Sequence, residues 1–79
     1  MTWNYRIIYH DEGKHPYFAI HEVFYNELGK VTNWTTDPID VSGESQLEVT
    51  KTLMQMLKDT DKTDVLLESQ LEKAIHDTI

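Results

Sequence analysis

Cysteine is absent from the chain, which removes disulfides, thiolate nucleophiles and cysteine-ligated zinc or iron–sulfur centres. Packing and hydrogen bonds must hold the fold. Glycine and proline are scarce, and Gly13, Gly29 and Gly43 stand alone, so no continuous phosphate cradle can form. Lys and Arg number seven against fourteen acids and form no cluster. Binding to nucleic-acid phosphates draws its affinity from such clusters and is not expected. No basic segment leads into an apolar stretch, and no run of about 18 apolar residues occurs, so neither a signal peptide nor a membrane span is expected. These absences predict a cytoplasmic, bacterial-type protein. The three serines, Ser42, Ser45 and Ser69, lie outside any Gly-x-Ser-x-Gly elbow, which leaves nucleophilic catalysis without support.

What is present is enough for one domain spanning residues 1–79. A chain of this size buries only about 60% of its unfolded surface and cannot support two cores. Hydrophobic residues make up 39% of it, which is the composition of a folded domain rather than a disordered segment. The formal charge of −7 is uneven: residues 1–36 hold four acids and three bases, residues 37–79 ten acids and four bases. That acidity keeps a small domain in solution and permits a basic partner without implying one.

Trp3 to His10 alternates Trp3, Tyr5, Ile7 and Tyr9 with Asn4, Arg6, Ile8 and His10, the period of a strand. After a polar turn with Gly13 and Pro16, Tyr17 to Tyr25 is apolar or aromatic on both alternating faces and reads as a strand buried on both sides. Asn26 to Lys30 has hairpin length, and Val31 to Thr36 is β-branched and centred on Trp34. Pro38 interrupts this third strand or places it at an edge, with Ile39 and Val41 continuing in extended form. Ser45 and Glu48 make a capping box. Leu47, Leu53, Met54 and Leu57 then recur at helical spacing, widened by Val49 and Met56, and predict the helix that covers the sheet. Beyond a polar break at 59–64, Leu67, Leu71, Ala74, Ile75 and Thr78 predict a second helix, capped by Thr63 or Asp64, with Glu72–His76 and Lys73–Asp77 as outer pairs. Val65 to Leu67 reads alternatively as a short fourth strand.

The His21-Glu22 pair in the central strand is the first candidate for chemistry, because ionisable groups among aromatics can have displaced pKa values. Adjacent strand residues point to opposite faces, so His21 joins Tyr17 and Tyr25, while Glu22 joins Phe18, Ile20 and Phe24. A buried Glu22 needs a cross-strand partner, for which Arg6 or a third-strand threonine is available. His10, His15, His21 and His76 show no spacing of a metal site, and no metal or cofactor is expected. The aromatic set that includes Trp3, Tyr5, Tyr9, Tyr17, Tyr25 and Trp34 resembles a base-stacking platform but has few basic residues around it; core packing and a protein-binding or dimer surface fit it better.

Trp3-x-Tyr5-Arg6-Ile7, Tyr17-x-Ala19-Ile20-His21-Glu22-Val23-x-Tyr25, Trp34-Thr35 and Gly43-Glu44-Ser45 together resemble a family of short, uncharacterised bacterial and phage proteins over about residues 3–57. The resemblance implies a compact sheet-plus-helix domain and supplies no catalytic residue. A looser likeness of pattern is to the amino-terminal domain of HicB-like antitoxins, where three strands run into a capped helix through a Gly-acidic-Ser/Thr step. The Pro-Gly-Cys-like segment usual before that step is missing here, and the likeness implies a toxin-neutralising role by analogy alone.

The expected fold is therefore α+β: a three-stranded antiparallel meander, residues 3–10, 17–26 and 31–41, packed on one amphipathic helix at 45–58, with a second, C-terminal helix. The expected function is non-enzymatic, a protein-binding or regulatory module that meets a protein or a second copy of itself through its aromatic sheet face or edge strand. Tyr17, His21, Glu22, Tyr25, Trp34 and Arg6 are the candidate binding residues. The rival is a small enzyme or ligand-binding protein using His21, Glu22, His10 and nearby Tyr hydroxyls.

Overall fold

The computed structural model describes residues 2–78, with side chains as far as Lys73. The chain is α+β, with strands β1 (Thr2–His10), β2 (Tyr17–Tyr25) and β3 (Val31–Trp34), helix α1 (Gln46–Lys62), a two-residue strand β4 (Leu66–Leu67) and helix α2 (Glu68–Thr78). The sheet order is β3-β2-β1-β4. Strands β1 to β3 pair antiparallel, as the alternation predicts, but β4 lies parallel to β1, with Ile8 opposite Leu66 and Tyr9 opposite Leu67. The sheet is thus mixed and four-stranded, and the expected three-stranded meander is corrected. Of the two readings of Val65 to Leu67, the strand holds for Leu66 and Leu67.

Directly opposed residues of an antiparallel pair share a face. Arg6 lies opposite His21, Ile8 opposite Ala19, His10 opposite Tyr17, and Val23 opposite Trp34. On this face Ile8 and Val23 are buried with Leu71 of α2, and Tyr25, Val31, Trp34 and Leu66 pack around them. The other face carries Tyr9 stacked on Phe18 at 4.4 Å between ring centroids, and Trp3 edge-on to Tyr5 at 5.1 Å. The His21 and Val23 face is the one sealed by α2, and on the other face Phe18 is exposed.

The β2–β3 turn is held by Asn26, whose Oδ1 accepts from the amides of Leu28 and Lys30, while Gly29 supplies the positive φ of 76° that the turn requires. Strand β3 is an edge strand that ends at Trp34 rather than running to Val41. Pro38 has no amide to donate, yet the Ile39 amide returns to the Ile20 carbonyl at 2.9 Å. Ser45 caps α1 as expected, its hydroxyl accepting from the Glu48 amide at 3.2 Å. The Glu48 carboxylate reaches back one residue further than in a standard capping box, to the Glu44 amide at 2.7 Å. Gly43 is needed there, because a Cβ would sit 2.9 Å from that of Glu48.

Helix α1 runs through the expected break to Lys62 and is capped by Thr63. The segment 59–62 holds no Gly or Pro to stop it, and Thr60 and Thr63 donate to the carbonyls of Met56 and Asp59 within the helix. Its orientation overturns the predicted core. Met56 is its buried apolar residue, while Leu47, Leu53, Met54 and Leu57 are exposed by 62%, 51%, 65% and 69%. The helix lies along β1, and Asp59 Oδ2 accepts the Tyr5 amide at 3.0 Å. That bond satisfies a backbone donor that the short β4 does not reach. It fixes the helix face presented to β1, and the leucines turn away. The stripe positions Ala74, Ile75 and Thr78 and the pairs with His76 and Asp77 lie outside the described side chains.

Candidate functional site

His10 and His21, which are 6% and 0% exposed, converge on the sealed face. Their Nε2 atoms are 2.8 Å apart. His21 Nδ1 donates to the Thr35 carbonyl at 2.9 Å, with Thr35 Oγ1 also at 3.2 Å, and His10 Nδ1 meets Glu68 Oε2 at 2.6 Å. The result is a continuous chain, Glu68–His10–His21–Thr35, that ties the first turn of α2 across the sheet to the segment leaving β3. Tyr17 stacks on His10 with centroids 4.5 Å apart and shields its outer side.

The carbonyl of Thr35 can only accept, so the hydrogen-bond pattern assigns a proton to His21 Nδ1 and leaves its Nε2 as the acceptor from His10. Three contacts then hold three protons, one of them shared between His10 and Glu68. A second proton on His21 would set N–H against N–H at 2.8 Å. Burial pushes the His21 pKa below its ordinary 6.5, and the nearby His10 acts in the same direction, against opposing pulls from the Thr35 carbonyl, Glu68 and Asp37. His21 is a neutral acceptor inside the fold.

Next to this chain, Asp11 of the β1–β2 turn accepts from the Ser69 amide at 3.1 Å and from the Ser69 hydroxyl at 2.6 Å. Asp11 therefore caps α2 from across the fold, in place of the expected Thr63 or Asp64. Thr63 instead caps α1, and the Asp64 carbonyl accepts from Arg6 at 2.6 Å. The Ser69 contacts hold the Asp11 pKa below its usual value. They also commit the Ser69 hydroxyl, which does not contact an imidazole. A side-chain hydrogen bond between Glu12 and Glu72, and after it the charge of Glu72, raise the Glu12 pKa. Oxygens of Asp11, Glu12 and Glu68 lie within 4.8 Å of one another, but Asp11 and Glu68 are already engaged by Ser69 and His10.

The other candidate residues divide. Arg6 faces His21 rather than Glu22; it donates to the Tyr25 hydroxyl at 3.3 Å, and that hydroxyl donates to Asn4 at 2.8 Å. The expected Arg6–Glu22 pairing is thus absent, because the two residues stand on opposite faces. Glu22 is half-buried beside Tyr5, whose pKa is raised by burial and by the Glu22 and Asp59 carboxylates. A tyrosine so held keeps its proton and is a poor acid. Trp34 packs against the core and lines a hollow of about 450 Å³ with Thr32, Asn33, Thr36, Glu68 and Glu72.

Sequence reasoning missed Glu68, Asp11, Thr35 and Glu72. Glu68 and Ser69 stand 58 residues from His10 and Asp11 respectively, and no local spacing marks such pairs. No family model, curated protein or solved structure matches the chain. Among the described residues, no helix is long and apolar enough to cross a membrane.

Proposed function

We propose that the chain is a non-catalytic protein-interaction module that docks through the outward face of α1, and that its partner is a second copy of itself. The carrying observation is the uncovered set Leu47, Leu53, Met54 and Leu57 on one seventeen-residue helix. Contiguous apolar surface of this kind is expensive to leave in water and marks association sites.

A twofold, antiparallel pairing centred near Leu53 is self-complementary: it lays the leucines and Met54 of one copy against those of the other and leaves Glu48 at its cap contact with the Glu44 amide. The sheet face first expected to bind, with His21 and Tyr25, is less suited because α2 closes it. The looser likeness to an antitoxin domain is compatible with this reading and adds no residue to it.

Size-exclusion chromatography with light scattering tests the proposal. A dimer that Leu53→Glu converts to a folded monomer supports it; a wild-type monomer at millimolar concentration rules it out.

A further inference from the structure

The hollow between β3 and the start of α2 has a composition that the protein-interaction reading does not use. It is lined by Trp34, by Glu68 and Glu72, one helical turn apart on α2, and by Thr32, Asn33 and Thr36. Its volume of about 450 Å³ lies within the range of small-ligand sites. Thr32 sits where β3 bulges against β2, at the Phe24/Tyr25 irregularity, and its hydroxyl is tied to the Phe24 carbonyl at 3.3 Å. That part of the lining is held by the backbone.

None of the described residues that line the hollow is basic. Among the described residues, the sole ion-pair contact is His10 with Glu68 at 2.6 Å, and no Lys or Arg reaches Glu72. Glu12 stands beside Glu72, and a hydrogen bond between the two carboxyl groups, with the charge of Glu72 behind it, favours the protonated form of Glu12. A positive group entering beside Glu72 would take the place of that proton. An indole face attracts an ammonium group, and it does so best where water is partly excluded. A metal ion would gain nothing from the indole, and the carboxylates of Asp11 and Glu68 are already hydrogen-bonded. The wall chemistry therefore favours an organic cation with a short apolar stem over a bare divalent ion.

We propose that this hollow binds a small alkylammonium ligand, its charged head at the Glu72 carboxylate and its methylene stem against Trp34. Threonine hydroxyls and the Asn33 amide oxygen accept the remaining N–H bonds. This site is separate from the α1 docking surface, so either can fail without the other.

The test is a titration of the full chain with putrescine, followed through the Trp34 indole N–H resonance, with Trp3 as the internal reference and 1,4-butanediol as the neutral isostere. A saturable shift at Trp34 with putrescine, none with butanediol, and a loss of affinity of about tenfold in Glu72→Gln support the proposal. Glu72 is exposed, so that variant folds without a lost core contact. The proposal is overturned by a Trp34 resonance that does not saturate, by equal responses to putrescine and butanediol, or by undiminished binding in Glu72→Gln. Magnesium is the competing probe: if it displaces putrescine while leaving Trp34 unshifted, the acidic groups hold a metal and not an amine.

Discussion

Helix α2 brings one buried leucine to the sheet among its described residues, yet it seals a face that contains two histidines. Helix α1 has many more large apolar residues and buries only Met56 among them. The difference lies in the polar tethers. Helix α2 is held by Glu68 on His10 and by Asp11 on Ser69, two contacts that fix its position and cap its first turn. Helix α1 is held to β1 by Asp59 on the Tyr5 amide. An unpaired backbone amide at that position would cost about 1–3 kcal/mol, enough to decide which side of an amphipathic helix faces inward when apolar residues are spread around it. In one helix the tethers carry an apolar side chain into the core; in the other the tether turns apolar side chains out.

The contrast is most directly broken at Ile8, which is fully buried on the α2-covered face. Ile8→Ala should destabilise the domain by about 2–5 kcal/mol in urea or thermal unfolding, a large share of the stability of so small a chain. A loss as small as that of an exposed α1 leucine would mean that the two sides of the sheet do not differ as described.

The polar half of the comparison is sharpened by pH. Because the His21 pKa is depressed in the folded protein, the unfolded chain binds the extra proton more readily. The His21 contribution to stability is therefore complete above the ordinary histidine value of 6.5 and declines as pH falls from there towards the native value. Imidazole nitrogen NMR at neutral pH should find His21 neutral with its proton on Nδ1. A doubly protonated ring there would contradict the hydrogen-bond chain.

The smallest expected effect is at Leu53. At concentrations where the protein is monomeric, Leu53→Ala should change stability by less than about 0.5 kcal/mol, as for other surface positions. A loss of several kcal/mol would show that the helix turns its leucines inward in solution. The same substitution should weaken self-association, which separates the role of Leu53 in docking from any role in folding.

Much of the local structure was legible. Alternation from Trp3 to His10 and the dense run from Tyr17 to Tyr25 marked the first two strands. Ser45 marked the start of α1, whereas the third strand, expected to run to Val41, ends at Trp34. The face assignment was not legible, because Tyr17–Tyr25 is apolar on both sides and either side can pair with a helix. Nor was the histidine chain. His10 and His21 could be recognised as strand residues, but their approach depends on the β1–β2 register, and their connection to Glu68 depends on where β4 delivers α2.

The sequence by itself determined where β1, β2 and α1 begin and which chemistries lack material, since caps, turns and alternation act over a few residues. It also determined that more apolar surface exists than one helix-covered sheet can hide. Tertiary structure alone decided which surface that would be. Asp59 against Tyr5, Asp11 against Ser69 and Glu68 against His10 are contacts between residues 54 or 58 positions apart. Their energies depend on packing geometry rather than on sequence spacing, and through them the histidines became buried and the leucines of α1 were left facing outward.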